Sequence, residues 1–320
     1  MKRILSFITV LLFITACDDG KLTVDAIDFS LVAAQKCTDK DLIYKIKDSE
    51  MLFIEIPATT FTENQTLDNM PIEIALSSTV KVTYRKYAST VTSLNICGTV
   101  PDATPNLVEQ WVATSGTIQI TATAIKTPTA TNNGTRISGY RYYIVVKNMT
   151  FVKPSGTPQV YPSFVFGNYT TVISPLAFGF DDQVAKSSCA ADNRIFNFQG
   201  SESLILDVND FAILFANAVT ITPRTALIDA NHKLSYQLFN TTVTNSYFCT
   251  TIPPLTPVLS QQWDAEAGVA ATSGIIEVST TTLTTTSFQH TIHFKKVSLK
   301  KGNSDFSLGD DYIFGSFVTP

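Results

Sequence analysis

Charged residues are scarce in this sequence. Only 16% of its 320 residues are Asp, Glu, Lys or Arg, against about 25% in an average globular domain. Acidic side chains outnumber basic ones by 27 to 23, and nothing suggests the clustered basic face that a nucleic-acid partner requires. Threonine and serine stand where lysine and glutamate are common, which is typical of β-strands with hydroxyl side chains facing solvent. The composition therefore excludes nucleic-acid binding and favours β-structure.

Several features of cofactor enzymes and membrane-spanning proteins are also missing. There is no phosphate-binding glycine loop and no dinucleotide fingerprint, so no cofactor is expected. After the first seventeen residues, the longest apolar run is residues 211–219, far shorter than the roughly 20 residues that span a bilayer. That run predicts a buried strand or a short helix.

The first seventeen residues have the parts of a secretory signal. Lys2 and Arg3 form a basic start, residues 4–14 are mostly large and apolar, and Ala16 is a small residue before Cys17. A basic start, an apolar run of about 7–15 residues and a small residue at the cleavage point define such signals. We therefore predict a signal peptide over residues 1–16. Its removal leaves 21 of the 23 basic residues against 27 acidic ones, a net charge of −6.

The four residues Ile14-Thr15-Ala16-Cys17 resemble the lipobox of bacterial lipoproteins, in which an aliphatic, a small or polar and a small residue precede a cysteine. The resemblance implies cleavage before Cys17, lipidation of its sulfur and, in Gram-negative members, acylation of the new amino terminus. Two or three acyl chains anchor stably, because each buried CH₂ contributes about 0.8 kcal/mol. We predict Cys17 as the lipidation site and a membrane as a partner. An ordinary signal with an incidental cysteine is the alternative.

An acidic pair, Asp18-Asp19, follows the cysteine. It resembles the surface-export signals of Bacteroidota lipoproteins, and it also resembles the inner-membrane retention signal of enterobacteria. The low charge and Thr/Asn-rich composition favour the first, so we expect a lipid-anchored protein of the cell envelope, at the outer membrane or cell surface. The resemblance covers about twenty residues, and no known family is recognised over residues 22–320.

The remaining four cysteines reveal a repeat. Cys37 and Cys97 are separated by 60 residues, as are Cys189 and Cys249. A shift of 152 superimposes the two pairs, and 19 of the 76 positions from Cys37 to Val112 are then identical. The matches include Ser49-Glu50, Tyr84, Thr90-Val91-Thr92, Thr104-Pro105 and Gln110-Trp111 with their counterparts 152 positions later. Towards the end of each copy the shift becomes 148, where Phe166-Gly167 meets Phe314-Gly315.

The sequence therefore predicts a tandem duplication. Residues 17–21 form a lipidated tether, and two β domains cover residues 22–172 and 173–320. Four cysteines allow three pairings; inheritance of one bond by both copies selects Cys37–Cys97 and Cys189–Cys249, in keeping with an oxidising compartment. Two copies of one module also suit multivalent binding.

Each copy predicts an all-β fold, a sandwich or a barrel of seven to nine mostly antiparallel strands. Residues 117–124 and 275–282 alternate Ile or Val with polar residues, and residues 142–152 and 291–299 predict further long strands. Asn132-Asn133-Gly134 lies between two such runs and indicates a hairpin. No window of a dozen residues shows a sustained helical period.

Candidate catalytic and metal-binding residues are few. His232, His290 and His293 all lie in the second copy, and His290 and His293 are three apart in a predicted strand, so they face opposite sides and do not share a metal. Ser115 and Ser273 precede glycines but lack the rest of a nucleophile turn. We interpret Glu50 and Glu202 as hairpin-turn carboxylates. The pairs Asp181-Asp182 and Asp310-Asp311 lack calcium-loop spacing.

A binding surface is expected where the copies differ, because loops on a β scaffold usually carry binding. Such places are residues 127–140 and residues 264–269, whereas Trp111 and Trp263 recur and are interpreted as packing rather than as a sugar-stacking platform. The sequence thus predicts a non-enzymatic, membrane-anchored binding or surface-interaction protein with a glycan or protein partner. The alternatives are a carbohydrate-active hydrolase accessory, which needs paired carboxylates about 5–10 Å apart, and a structural subunit of an envelope complex.

Overall fold

A computed structural model of the protein describes residues 27–100, 102–181, 184–186, 193–250 and 254–320. The predicted signal peptide, Cys17 and Cys189 lie outside the described residues. Nearly all regular structure is β, as the sequence predicts. Two single-turn helices, α1 (Leu94–Cys97) and α2 (Phe211–Leu214), accompany the strands. Among the described residues, no helix has the length and apolar character needed to cross a membrane.

The first half of the described chain forms one eight-stranded antiparallel sheet. The strands are β1 (Gln35–Lys36), β2 (Leu42–Lys47), β3 (Glu50–Glu55), β4 (Ile72–Ala75), β5 (Lys81–Tyr87), β6 (Leu107–Pro128), β7 (Thr135–Val152) and β8 (Pro158–Val172). Their order in the sheet is β1-β2-β3-β5-β6-β7-β8, and β4 pairs with residues 117–120 of β6. Ile54 of β3 and Ile120 of β6 are buried in the same cluster, so the sheet folds over and encloses its own core.

The second half forms two sheets. The strands are β9 (Ala185–Lys186), β10 (Arg194–Gln199), β11 (Glu202–Val208), β12 (Arg224–Leu227), β13 (His232–Phe239), β14 (Leu259–Ala265), β15 (Ile275–Thr282), β16 (Phe288–Lys295), β17 (Ser298–Lys301), β18 (Ser304–Ser307) and β19 (Tyr312–Thr319). A seven-stranded sheet has the order β18-β17-β14-β13-β11-β10-β9, and a four-stranded sheet has the order β12-β15-β16-β19.

The two halves have the same succession of strand pairings. Tyr84 of β5 lies opposite Trp111 of β6, and Tyr236 of β13 lies opposite Trp263 of β14. The long strands β6, β7 and β8 each correspond to two shorter strands in the second half. Left-handed backbone recurs at matching positions, with φ of 53° at Asp48 and 59° at Gly200, 50° at Asn148 and Lys296, and 104° at Gly167 and 135° at Gly315. Both Thr104-Pro105 and Thr256-Pro257 are cis.

Most local predictions are confirmed, and one is wrong. The hairpin at Asn132-Asn133-Gly134 joins β6 to β7, with φ of 74° and 55° at the two asparagines. The run at residues 211–219 begins with helix α2, one of the two forms predicted for it. Residues 291–299 do not form a single strand, because β16 ends at Lys295 and its backbone pairs with β15 and β19, whereas β17 starts at Ser298 and pairs with β14 and β18. Lys296, with φ of 50°, lies at the break.

The first predicted disulfide is present. Cys37 and Cys97 are bonded, with their Cα atoms 5.3 Å apart. Cys249 is also disulfide-bonded. Because Cys189 lies outside the described residues, its pairing with Cys249 stays a prediction.

The two halves share one hydrophobic core. A single buried cluster contains Tyr140 and Phe166 from the first half together with Trp263 and Phe306 from the second. Polar contacts surround it: Tyr140 donates to Ser304 Oγ at 3.2 Å, and Lys126 pairs with Asp305 at 2.7 Å. The halves therefore pack directly against each other.

Candidate functional site

His290 is a core residue. It is fully buried, its two ring nitrogens lie 2.9 Å from the hydroxyls of Thr280 and Thr319, and its ring packs against Phe215 and Phe317. Burial, with a smaller contribution from the charge of Arg224, lowers the pKa of His290 to about 4. The neutral ring thus serves as a hydrogen-bonded spacer between strands of the four-stranded sheet.

This lowered pKa predicts acid destabilisation. In the unfolded chain His290 takes up a proton below pH 6.5, whereas the folded chain resists protonation down to about pH 4. The unfolded state therefore binds more protons in this window, and stability is lost as the pH falls through it, by up to about 3 kcal/mol. Urea unfolding of wild type and His290→Gln between pH 7 and pH 4 measures the effect. Equal pH slopes in the two proteins would contradict the prediction.

The other two histidines pair with carboxylates. His293 lies on the opposite face from His290, and its Nδ1 is 2.7 Å from Asp311, which also pairs with Lys295 at 2.6 Å. Burial alone would raise the pKa of Asp311, but hydrogen bonds from Lys295 and His293 outweigh it and lower that pKa. His232 lies between Asp210 and Asp229, one at each ring nitrogen. Since those nitrogens point in different directions, the three groups do not surround one ion.

No group of three or more His, Cys, Asp or Glu side chains in the described ranges has an arrangement that could hold a metal ion. The recurring glutamates flank hairpin turns, since Glu50 pairs with Lys47 and Glu202 pairs with Gln199. Each also accepts a hydrogen bond from a tyrosine hydroxyl on the neighbouring strand, Tyr84 and Tyr236 respectively.

The two tryptophans are buried. Trp111 is 2% exposed and Trp263 is 4% exposed. Lys153 lies 4.7 Å from the Trp111 ring, and Lys301 lies 5.0 Å from the Trp263 ring. Both indole N–H groups donate within their own strand, to Glu109 and to Gln261. These features are those of packing residues.

The hairpin at residues 127–140 is not a free surface. Asn133 Nδ2 donates to Asp310 at 2.6 Å, and Asp310 N donates to Asn132 O at 2.7 Å. Gly309, with φ of 105°, lies so close to Asn132 O that a side chain could not fit. The hairpin tip therefore belongs to the interface between the halves. The other predicted surface, residues 264–269, remains largely exposed.

An open groove of about 650 Å³ lies between the two edges of the first sheet. One wall is residues 30–34, just before β1, and the other is Val165, Phe166, Gly167, Asn168 and Thr170 of β8. Leu31 is 99% exposed and Val165 is 54% exposed. The walls therefore combine accessible aliphatic side chains with polar residues such as Asn168 and Thr170.

Lys45 lies at the floor of this groove. Its side chain is buried, and Nζ donates to Phe29 O at 3.0 Å and lies 5.4 Å from the Phe166 ring. It forms no ion pair with any described side chain, and Asp28 acts on it only as a more distant charge. Burial lowers the pKa of Lys45. An ammonium group with one acceptor in a concave site attracts an anion, because two of its three N–H donors remain available.

The groove is the candidate functional site, and the sequence did not identify it. The lysine gave no signal by itself, because the groove is formed by residues that are distant along the chain. No family model, curated protein or solved structure matches this chain.

Proposed function

We propose that this chain is an exported, lipid-anchored envelope protein that acts by binding a protein partner rather than by catalysis. The lipobox resemblance at Cys17 supports the anchor, and Asp18-Asp19 favours the outer membrane or cell surface. The observation that carries the binding role is the open groove with the buried ammonium of Lys45 at its floor, which forms no ion pair with any side chain that the structure describes. Such a concave site with one polar anchor is typical of ligand sites.

We further propose that the two halves arose by duplication. The support is the pairing of Tyr84 with Trp111 and of Tyr236 with Trp263, together with matching left-handed residues. The lysine over each tryptophan is a further match, since Lys153 and Lys301 are related by the shift of 148 found in the sequence.

Residues 17–27 place the groove close to the proposed anchor. Nine residues lie between Cys17 and Ile27, and even a fully extended segment of that length spans at most roughly 35 Å. Residues 30–34, one wall of the groove, follow almost directly. The expected partner is therefore a component of the same membrane surface.

Site-specific photo-crosslinking in cells tests the proposal. A photoreactive residue at Val165 is expected to capture a defined protein, and one at Ile313 is expected to capture none. Ile313 is the matched control, because it is 51% exposed and holds the corresponding register on β19. Cys17→Ala should release the chain from the membrane fraction and remove the crosslink. Equal crosslinking at both positions, or none at Val165, would count against the groove as the binding site.

A glycan is the second candidate ligand. A smaller cavity of about 160 Å³ lies between the halves and is lined by the rings of Tyr140, Trp263 and Phe306 with Glu63 and Gln261. Aromatic rings beside carboxylate and amide groups are a composition that suits a sugar. A glycan array that shows binding by wild type and loss of binding on Gln261→Ala would favour this site over the groove.

A further inference from the structure

In the second half, Val184 occupies the position that corresponds to the groove. β9 pairs with β10, and the residue before it, Val184, donates its N–H to Ser316 O of β19 at 3.2 Å. The Val184 side chain is 7% exposed. One short extended segment therefore bridges the two sheet edges, β10 on one side and β19 on the other, and its aliphatic side chain enters the core.

The first half has the same anchor points at both ends of this segment. Gln35 and Lys36 pair with Tyr44 and Ile43, just as Ala185 and Lys186 pair with Phe196 and Ile195. At the other end, Lys45 donates to Phe29 O and Asn197 donates to Asp181 O at 2.7 Å. These pairings show that Phe29 corresponds to Asp181 and that Gln35-Lys36 corresponds to Ala185-Lys186.

The segment between those anchors is two residues longer in the first half. Five residues, 30–34, separate Phe29 from Gln35, whereas three residues, 182–184, separate Asp181 from Ala185. The longer segment turns at Ser30-Leu31, with Val32 N donating to Phe29 O at 3.1 Å. Among the described residues, no backbone hydrogen bond joins residues 30–34 to β8. Val32 and Ala34 pack against the core but are only partly buried, whereas Val184 is 7% exposed. The edge of β8 therefore lacks the hydrogen bond that Val184 makes in the second half.

The edge of β8 presents an acceptor equivalent to Ser316 O. Asn168 lies opposite Tyr143 in the register in which Ser316 lies opposite Thr291. The carbonyl of Asn168 is thus oriented like the one that receives the N–H of Val184. An exposed sheet edge of this kind is a template for an added strand.

The floor of the groove differs from its counterpart in charge. Lys45 donates to Phe29 O and Asn197 donates to the corresponding Asp181 O, but only Lys45 carries a positive charge. The walls add aliphatic and aromatic surface from Leu31, Val165 and Tyr143. An occupant therefore needs an extended backbone, an aliphatic side chain and a carboxylate.

We propose that the groove binds an extended segment of a partner protein in which an aliphatic residue donates its N–H to Asn168 O and a nearby carboxylate contacts Lys45. This inference rests on the proposed function and specifies the partner of the same site. The chain itself suggests a ligand sequence, since Val184 makes this contact in the second half and residues 180–186 around it read Phe-Asp-Asp-Gln-Val-Ala-Lys.

A synthetic heptapeptide of that sequence is the probe. The protein is the mature chain with Cys17→Ser, exported through a signal without a lipobox so that its disulfides form. NMR titration is expected to show shifts confined to residues 30–34 and 165–170, with a Kd of roughly 0.1–1 mM for so short a peptide. A peptide with N-methylvaline at the position of Val184 keeps the side chain but lacks the N–H, and it should lose most of the binding.

Lys45→Asn is the matched protein variant. Asn197 donates to Asp181 O as Lys45 donates to Phe29 O. An asparagine at position 45 should therefore keep this hydrogen bond and preserve folding while the charge is removed. We expect about tenfold weaker peptide binding, and no further loss when both aspartates of the peptide are replaced by asparagine. No shifts at millimolar peptide, shifts elsewhere, equal binding of the N-methyl peptide, or self-association of the chain through the groove would overturn the inference.

These outcomes are distinguishable from failure of the proposed function. A partner crosslinked at Val165 together with a failed peptide titration would keep the groove as a protein-binding site but reject the added strand. Peptide binding without any crosslink at Val165 in cells would keep the added strand but reject the groove as a site for a protein partner in the cell.

Discussion

Replacement of Cys37 and Cys97 by alanine is expected to lower the free energy of unfolding by about 4 kcal/mol. The bond joins residues 60 positions apart, and the chain-entropy relation gives this magnitude for a closed loop of that length. Cys37 is 2% exposed within a small cluster with Tyr44, Phe53 and Val91, so the lost packing adds to the effect. Urea unfolding of the double variant against wild type measures the difference.

The control for this prediction is chemical reduction of the wild-type protein. If the chain-entropy explanation holds, the reduced wild type and the double alanine variant should show similar midpoints after allowance for the second disulfide at Cys249. Mass spectrometry of peptic fragments would at the same time establish whether Cys249 pairs with Cys189. A loss below about 1 kcal/mol in the double variant would mean that the reduced, unfolded chain keeps structure around this loop.

Glu202→Ala is expected to destabilise the protein by about 3 kcal/mol. The carboxylate is 7% exposed and accepts hydrogen bonds from the Tyr236 hydroxyl and from Ala177 N at 2.9 Å. Its removal leaves both donors unsatisfied, at about 1–3 kcal/mol for each buried group. Burial and the hydrogen bond to Glu202 raise the pKa of Tyr236, so the hydroxyl remains a proton donor throughout the working range. Thermal and chemical unfolding both test this value.

Glu50→Ala is the matched control for that variant. Glu50 accepts from the Tyr84 hydroxyl in the same strand context but is only partly buried, so we expect a loss of about 1 kcal/mol. The difference between the two variants isolates the contribution of the segment around Ala177, which Glu202 fixes onto the second half. Phe178 in that segment stacks on Tyr236 at 4.6 Å and lies beneath Arg136 at 4.0 Å. Equal losses in the two variants would contradict this explanation.

The pattern of side chains was sufficient to predict the fold class and several local features. Alternation of Ile276 and Val278 with Glu277 and Ser279 identifies β15, because one face of that strand is buried and the other is not. The Asn-Asn-Gly turn follows from the ease with which these residues adopt left-handed backbone. The equal spacing of two cysteine pairs predicted the Cys37–Cys97 bond. All of these depend on short-range or repeated signals.

The groove and the interface depend on differences that a constant alignment shift conceals. The shift of 152 aligns Val32 with Val184, but strand pairing aligns Gln35 with Ala185. The two extra residues are therefore visible only once the pairing is known. Likewise, nothing local marks the hairpin at residues 127–140 as an interface element, since its partner Gly309 lies far along the chain.

The shared core changes what the proposed duplication offers to a partner. Two modules on a flexible linker could each engage a ligand and gain from their high local concentration. Here Tyr140 and Trp263 are buried in one cluster, and the first half has an open edge where the second half is closed by its own Val184. We therefore expect the molecule to bind one partner segment at the proposed site rather than two. In the second half Val184 already bonds to the edge of β19, and only the first half keeps the edge that we propose a partner strand joins.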